Sequence, residues 1–167
     1  MNITIRNEET KDIEQVREIL RATFPTDVES KLVDALRVNG NAIISLVAVN
    51  ENHVLGHIMF SPVSTAPPNE AKGIGLAPVV ARPDVQSQGI GSQLICEGLR
   101  LCKDLEFDYC VVLGSPKYYG RFGFEKASIS GLQNQYGAGE EFMVIHFSGR
   151  GVVGLVRYVP EFVVFGV

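Results

Sequence analysis

The sequence predicts an α/β fold, in which a mixed and mostly antiparallel sheet carries helices on both faces. Three apolar runs, at 43–49, 54–63 and 73–81, are separated by short turns, and that order is typical of an antiparallel meander. An amphipathic run over 90–105 then precedes the wholly apolar run 109–113, which indicates a helix followed by a buried central strand. A meander followed by strand, helix and strand gives the mixed sheet.

The periodicity of apolar residues predicts the remaining elements, and Pro25 separates the first two helices because proline cannot continue one. Asp27 is placed to cap the second helix, which Asn39 and Gly40 end. In chain order these elements are a strand at 3–6, helices at 10–24, 27–38 and 115–121, and strands from Phe124, at 141–147 and at 151–167.

Length and composition indicate one globular domain over residues 1–167. The net charge of −4 argues against a broad basic face, so we expect no nucleic-acid partner. We also expect no membrane partner and a cytoplasmic location, because there is no signal-peptide pattern and the longest apolar run is too short for a bilayer. The three cysteines lack metal or redox spacing and are predicted to be buried: Cys96, Cys102 and Cys110.

A glycine-rich segment at 86–92 lies between an apolar run and the amphipathic run that it opens. The first N–H groups of a helix and its macrodipole attract an anion, and Gly89 and Gly91 let a phosphate approach the backbone. A dinucleotide site would need a third glycine where Leu94 stands, and a P-loop would need Gly-Lys-Ser or Gly-Lys-Thr. The segment therefore predicts a phosphate site of another kind, with an ordinary turn and helix start as the alternative.

The order Gln-x-x-Gly-x-Gly resembles the coenzyme A pyrophosphate loop of the GNAT superfamily of N-acetyltransferases. The resemblance extends to the apolar strand and turn at 79–84, and to the segment 117–124, where two tyrosines precede a basic residue and Gly-Phe. The segments 113–116 and 156–162 are similar to the compact bacterial YhbS-like branch of that superfamily. The resemblance implies a GNAT-like fold with splayed fourth and fifth strands.

The resemblance also implies the chemistry, which is direct acetyl transfer from acetyl-CoA to a primary amine of a small molecule or peptide, without a metal. It makes Tyr119 the general acid for the departing thiolate. It implies a cofactor site formed by Val79, Val80, Ala81, Gln86, Ser87, Gln88, Gly89, Ile90, Gly91, Ser92 and Tyr118.

The general base is left open, because the strand at 73–79 has no acidic residue where some family members carry a glutamate. The candidates are His57, Ser61, Glu29 and Glu70, a base acting through water, or an amine that arrives neutral. The missing carboxylate also keeps a rival function open, a non-catalytic acyl-CoA-binding or regulatory protein. The expected oligomeric state is a monomer or a homodimer.

Overall fold

The computed structural model describes residues 1–166. Short 3-10 helices lie at Thr10–Asp12, Pro83–Val85 and Ala127–Ser130. The α-helices are α1 (Ile13–Thr23), α2 (Val28–Val38), α3 (Ile90–Asp104), α4 (Pro116–Gly120) and α5 (Pro160–Val164). The strands are β1 (Thr4–Asn7), β2 (Ile44–Asn50), β3 (His53–Ala66), β4 (Gly73–Ala81), β5 (Tyr109–Leu113), β6 (Glu125–Lys126), β7 (Leu132–Asn134), β8 (Phe142–His146) and β9 (Gly154–Tyr158).

The strands pair in the order β1-β2-β3-β4-β5-β8-β6, with β9 pairing with β3 and β7. The pairs β1 with β2, β2 with β3, β3 with β9, β5 with β8, and β6 with β8 are antiparallel, whereas β4 with β5 and β7 with β9 are parallel. The predicted mixed, mostly antiparallel sheet is therefore confirmed. The chain forms two compact units, one of Met1–Phe60, Ala77–Gly98 and the segment from Pro160, and one of Ser61–Leu76 and Leu99–Val159. The single domain over 1–167 stays a prediction.

In the first unit, β1, β2 and the first half of β3 form an antiparallel ladder, with Thr4 opposite Val49 and Ile44 opposite Phe60. A Cβ added at Gly56 would lie 2.8 Å from both the Val80 carbonyl oxygen and the Ile90 side chain. A glycine is therefore needed there, because β3 lies closely against both the end of β4 and the start of α3. This packing positions the segment between β4 and α3.

The α1–α2 hairpin of the first unit begins and ends close to the predicted bounds. Arg17 joins the two helices through Asp34, with 3.1 Å between the Arg17 Nε and the carboxylate. Asp27 lies at the N-cap position of α2, but its side chain makes no capping bond and instead pairs with Lys31 at 3.1 Å. The cap position was predicted correctly, and the cap bond was not.

In the second unit, the ladder between β4 and β5 has three pairs, from Gly73 opposite Tyr109 to Gly75 opposite Val111. Beyond Gly75 both strands continue, and among the described residues no further pair joins them. β5 keeps its pairing with β8 as far as Leu113 opposite Phe142, so β5 is the central strand that was expected.

Several local predictions were wrong. The tail contains β9 but then turns into α5, whose first residue Pro160 suits a helix start because it lacks the N–H that would have no partner there. The helix predicted over 90–105 ends one residue earlier, at Asp104, and 47% of Leu105 is exposed. Cys96 is also exposed, because Leu94, Ile95 and Cys102 occupy the buried stripe of α3. The short strand β7 was not predicted.

Candidate active site

The end of β4 offers backbone groups along one edge. The Arg82 N–H donates to the Leu55 carbonyl at 2.7 Å, and the Val80 carbonyl also lies against β3. Because successive residues of a strand direct their N–H and C=O groups to opposite sides, those of Val79 and Ala81 point away from β3. Both residues belong to the predicted cofactor site, and the outward direction of their main-chain groups suits an added strand-like ligand.

The turn after β4 is held by its own side chains. The Arg82 guanidinium makes two bonds to the Asp84 carboxylate, at 2.6 and 2.9 Å, within the 3-10 turn Pro83–Val85. The Gln86 amide nitrogen then donates to the Ala81 carbonyl oxygen at 3.2 Å. The first glutamine of the signature therefore fastens the loop to the strand, which is a positioning role that the sequence did not reveal.

The loop that follows is exposed and has two residues in the left-handed region, Ser87 with φ 64° and Gly89 with φ 84°. The first bond of α3 runs from the Gln93 N–H to the Gly89 carbonyl at 3.0 Å. The amides before Gln93 therefore belong to the helix's N-terminal turn, where N–H groups and the macrodipole present positive charge. At the predicted anion site, an exposed turn is therefore followed by the N-terminus of α3, whose first N–H groups face solvent.

The structure places most of the predicted cofactor residues on this one stretch of the first unit. They fall in three consecutive parts: Val79, Val80 and Ala81 on β4, Gln86, Ser87, Gln88 and Gly89 in the loop, and Ile90, Gly91 and Ser92 in the first turn of α3. Tyr118 lies in the second unit, on α4, with its ring 5.0 Å from the Arg121 guanidinium. Their roles toward a ligand stay predictions.

Tyr119 is the most enclosed tyrosine of the α4 motif. Ser115 caps α4 by accepting a bond from the Tyr118 N–H at 3.4 Å, and the Tyr119 ring packs edge-on against Phe124 with centroids 5.7 Å apart. Gly114 allows this packing, because an added Cβ would collide with the Tyr119 ring. Burial raises the pKa of Tyr119 to about 12, with smaller contributions from Tyr118 and Cys110. Its hydroxyl therefore keeps its proton throughout the neutral range.

His57 is fully buried in β3 of the first unit. Its Nε2 lies 2.9 Å from the Ser45 Oγ and 3.6 Å from a Glu8 carboxylate that Arg37 binds at 2.7 Å. Loss of hydration lowers the pKa of His57 to about 4; the Glu8 charge opposes that shift and the Arg37 charge adds to it. The neutral ring is held inside a polar network, so a role as base would need a path for the proton through Ser45 or Glu8.

The other candidate bases have contrasting surroundings. Glu70 is 92% exposed at its side chain and pairs with Arg150 at 3.2 Å. The Ser61 hydroxyl is buried without a hydrogen-bond partner in the described part of the chain, and so is the Glu29 Oε1. The sequence named Glu29 among several candidates but gave no sign that one of its oxygens is buried and unpaired, because burial depends on the packing of distant segments.

The second unit also contains a cavity of about 500 Å³ that no motif predicted. It lies beside Phe142, which pairs with Leu113 at the end of β5. Most of its wall comes from the segment between β6 and β8: Ser128, Leu132, Gln133, Asn134, Gly137, Ala138, Gly139 and Glu140. Its polar groups are mostly amides and a hydroxyl, and Asn134 is occupied in holding the loop through Ala138 at 2.9 Å.

Within residues 1–166, no group of three or more histidine, cysteine or acidic side chains is arranged to hold a metal ion. None of the helices in this range combines the length and the apolar character needed to cross a membrane.

Comparison with known proteins gives a consistent result. Residues 13–124 match the model of the acetyltransferase (GNAT) family. The chain is 34% identical over 163 residues to the N-acetyltransferase YhbS of Escherichia coli K12, a protein described as uncharacterized, covering 95% of this chain and 97% of that protein. It is 29% identical to YjhQ of the same organism, over 74% of this chain and 70% of YjhQ.

Two solved structures share the fold. One is YhbS from Escherichia coli in complex with CoA, with a TM-score of 0.91 and 34% identity over 97% of this chain and 92% of that chain. The other is a GNAT family acetyltransferase from Brucella melitensis in complex with acetyl-CoA, with a TM-score of 0.82 and 33% identity over 96% of this chain and 98% of that chain. The family match spans most of the chain and agrees with both signatures. The chain therefore belongs to the acetyltransferase (GNAT) family and is an acetyltransferase.

Proposed function

We propose that the protein transfers the acetyl group of acetyl-CoA directly to a primary amine of a small molecule or a peptide. The observation that carries this proposal is the direction of the backbone at the end of β4. Val79 and Ala81 present their main-chain groups away from β3, and the chain then leads within ten residues to the N-terminus of α3. An edge for the pantetheine amides and a helix end for the pyrophosphate follow each other in the order that acetyl-CoA requires.

The residues of this stretch fit the cofactor. The exposed loop from Gln86 to Gly89 has no side chain within 4 Å of the place where a Cβ of Gly89 would stand, so the backbone is open to a ligand. The two solved relatives, one holding CoA and one holding acetyl-CoA, support the same assignment. Acetyl-CoA supplies the acetyl group in an activated form, as a thioester.

Tyr119 is proposed as the proton donor. Its hydroxyl would donate to the sulfur as the carbon–sulfur bond breaks, and the phenol would regain a proton released by the amine nitrogen, directly or through solvent. With a pKa of about 12, the phenol is a weaker acid than a thiol with a reference pKa near 8.5. The proton therefore stays on the phenol until the carbon–sulfur bond is largely broken, and the hydrogen bond to sulfur strengthens as negative charge develops there, which stabilises the transition state before the proton moves.

The buried cysteines are consistent with transfer that forms no acyl-enzyme. Burial raises the pKa of Cys110, with the neighbouring Cys102 adding to that effect, and both thiols are inaccessible. Tyr118 is proposed to pack on the cofactor, and His57 remains a predicted base only through the network of Ser45 and Glu8. A cytoplasmic location, no nucleic-acid or membrane partner, and a monomeric or homodimeric state belong to the same proposal.

The alternative function is a non-catalytic acyl-CoA-binding protein. It is supported by the absence of an acidic residue from the segment 73–79 of β4. The two functions share the cofactor site and differ in turnover. Release of the CoA thiol, followed with a thiol reagent across a panel of primary amines, separates them: amine-dependent release supports the transferase, and its absence with every amine supports the binding protein.

Cofactor binding is tested with a matched pair of glycine variants. Gly89 and Gly40 both have a left-handed φ, 84° and 75°, and open space around the Cβ position. Gly89→Val and Gly40→Val should therefore lose similar stability from backbone strain, roughly 1–3 kcal/mol. Only Gly89→Val should also lose the rise in Tm that acetyl-CoA gives the wild type, because its side chain occupies the pyrophosphate position. Equal Tm rises in both variants would refute the loop assignment.

A further inference from the structure

Two glycines on β4 leave room for two tyrosine rings. A Cβ added at Gly73 would collide with the ring of Tyr109, and one added at Gly75 would lie 2.8 Å from the Cε2 atom of Tyr158. Because residues two apart on a strand share a face, both rings cover the same face of β4 within the second unit. Tyr109 is 1% exposed and Tyr158 is 8% exposed. Each ring therefore occupies space that a side chain of β4 would otherwise fill.

The two rings differ in their position relative to the pairing of β4 with β5. In the described part of the chain, this pairing begins with Gly73 opposite Tyr109 and ends with Gly75 opposite Val111. Tyr109 therefore packs inside the paired segment. Tyr158 comes from β9, a strand that pairs with β3. Its ring covers the last residue of β4 that still pairs with β5.

The Tyr158 ring is held in place by its neighbours in the second unit. Its N–H donates to the Gln135 Oε1 at 2.9 Å, and its ring packs against that of Tyr136 with centroids 5.8 Å apart. Burial raises the pKa of the Tyr158 phenol, with smaller contributions that include Cys110 of β5 and Tyr119 of α4. The ring therefore extends over β4 toward β5 and α4. Because protein interiors are densely packed, it cannot turn away without displacing these neighbours.

A series of half-buried residues along β4 ends at the residue that Tyr158 covers. From Ala77 onward the strand alternates, with Ala77, Val79 and Ala81 half-buried and the residues between them buried. Gly75 lies two residues before Ala77 and shares its face, yet Gly75 is buried because the Tyr158 ring lies over it. The accessible face of β4 therefore closes at Gly75.

An acyl-CoA bound along β4 would bring its thioester toward the same position. The proposed site has the pyrophosphate at α3 and the pantetheine arm along Val79 and Ala81, so the arm runs from Ala81 toward Gly75. At Gly75 the edge of β4 is occupied by β5, and a strand-like ligand cannot continue. The acyl group, which is the end of the arm, therefore points at the Tyr158 ring.

We infer that Tyr158 limits the length of the acyl group and makes the protein specific for the two-carbon acetyl group. This rests on the proposed function, because the acyl group is taken from an acyl-CoA bound along β4. A longer chain, such as butyryl, would need the space that the Tyr158 ring occupies. Because overfilling a closely packed site costs free energy, each added carbon should weaken binding. The acetyl transfer itself proceeds as proposed above.

The test is Tyr158→Leu, which replaces the ring with a smaller side chain. Dissociation constants of CoA, acetyl-CoA, propionyl-CoA and butyryl-CoA are measured by calorimetry on the full chain. The wild type should bind butyryl-CoA more weakly than acetyl-CoA by roughly tenfold or more. In Tyr158→Leu the two constants should agree within about threefold. The constant for CoA, which has no acyl group, should match that of the wild type. Tyr158→Met, whose flexible side chain fills more of the core, should relax the preference in the same direction.

The matched control is Tyr109→Leu. It also removes a buried ring that covers a glycine of β4, so both leucine variants should lower the Tm by similar amounts. Because Tyr109 lies inside the paired segment, Tyr109→Leu should keep the wild-type preference for acetyl-CoA. Tyr158→Phe retains the ring and should keep that preference too. If Tyr158 only supported the core, both leucine variants would lower the Tm and neither would change the preference.

Turnover provides a second readout, with a primary amine that the wild type acetylates. The ratio of kcat/KM for butyryl-CoA to kcat/KM for acetyl-CoA should rise roughly ten- to two-hundredfold in Tyr158→Leu. In Tyr109→Leu this ratio should stay at the wild-type value.

The outcomes are distinct. A wild type that binds butyryl-CoA as tightly as acetyl-CoA overturns the inference, whether or not Tyr158→Leu folds. Wild-type preference in Tyr158→Leu, or in Tyr158→Met if only that variant folds, overturns it as well. If the preference relaxes as expected but no amine gives release of the CoA thiol, Tyr158 does limit the acyl group and the proposed transferase function is wrong. If the wild type binds none of the four compounds, the proposed cofactor site and this inference are both wrong.

Discussion

Replacing Tyr119 with phenylalanine tests the proposed proton donor with little change in packing. The variant removes one hydroxyl and retains the ring that packs against Phe124 and against Tyr118, whose centroid is 5.1 Å away. We expect folding at pH 7 and acetyl-CoA binding to be unchanged. The value of kcat should fall by roughly 100- to 10,000-fold, the usual range for general acid–base catalysis. The loss should appear in kcat, since the hydrogen bond to sulfur strengthens only in the transition state.

The burial of Tyr119 also predicts how much unfolding free energy the wild type loses at high pH. Its pKa of about 12 in the folded state exceeds the reference value near 10 of an unfolded chain. Unfolded molecules therefore release this proton first as pH rises, so the stabilising contribution is complete below pH 10 and is lost between about pH 10 and 12. At pH 11 the wild type should have lost about 1.4 kcal/mol of unfolding free energy through this one group. Tyr119→Phe should not show that loss.

Urea unfolding at pH 8 and pH 11 measures this difference, and Tyr109→Phe is the matched control. Burial also raises the pKa of Tyr109 to about 12, with a smaller contribution from the Asp108 charge. Both variants should therefore resist alkaline unfolding by the same amount relative to the wild type. Only Tyr119→Phe should lose activity, and Tyr118→Phe should lose much less.

The dependence of the wild-type kcat on pH provides another test of Tyr119. Because Tyr119 keeps its proton to about pH 12, it should produce no fall in kcat between pH 7 and 10. The reasoning is refuted if Tyr119→Phe retains wild-type kcat, because Tyr119 would then be a packing residue. A Tyr119→Phe variant that loses stability at pH 11 as steeply as the wild type would refute the assigned pKa.

Three further predictions follow from the structure. The pKa of His57 falls from 6.5 to about 4 on folding, so the unfolded chain takes up the proton first as the pH is lowered. The free energy of unfolding should therefore drop by roughly 3 kcal/mol between pH 6.5 and 4. His57→Gln should reduce that drop in urea titrations, and an equal drop in the variant would contradict the assigned pKa. A thiol reagent should label one cysteine rapidly in the native protein, and Cys96→Ser should abolish that labelling, whereas rapid labelling of Cys102 or Cys110 would show that the core opens. NAD, NADP, ATP and duplex DNA should give no binding heat at micromolar concentrations, because the loop lacks the dinucleotide and P-loop residues and the chain is acidic.

Features that depend on neighbours in the chain were predictable from the sequence. β4 begins and ends at the predicted residues Gly73 and Ala81, and α3 begins at the predicted Ile90. The stop at Pro25 and the start of the predicted short helix, which Ser115 caps in the structure, are equally local. Glycine, proline and short polar side chains act on the backbone within one turn, so their effect does not depend on tertiary contacts.

Errors arose where a residue's surroundings come from distant parts of the chain. The apolar neighbours of Cys96 suggested burial, but its position on α3 faces solvent. Asp27 lies at the N-cap position of α2, yet its carboxylate pairs with Lys31 and makes no capping hydrogen bond. The tail looked like a continuous strand, although Pro160 opens a helix that docks through Glu161 and Asn41.

The sequence by itself determined the family and most of the elements in their order, and it predicted a phosphate-binding loop, because each of these depends on short motifs with fixed spacing. Only the tertiary structure decided that His57 is enclosed and neutral, that the pKa of Tyr119 lies near 12, and that the Glu29 Oε1 is buried without a partner. These three properties depend on which atoms of distant segments exclude water from a side chain. Because water is excluded only when distant segments pack together, the burial of these side chains cannot be predicted from a local pattern of residues.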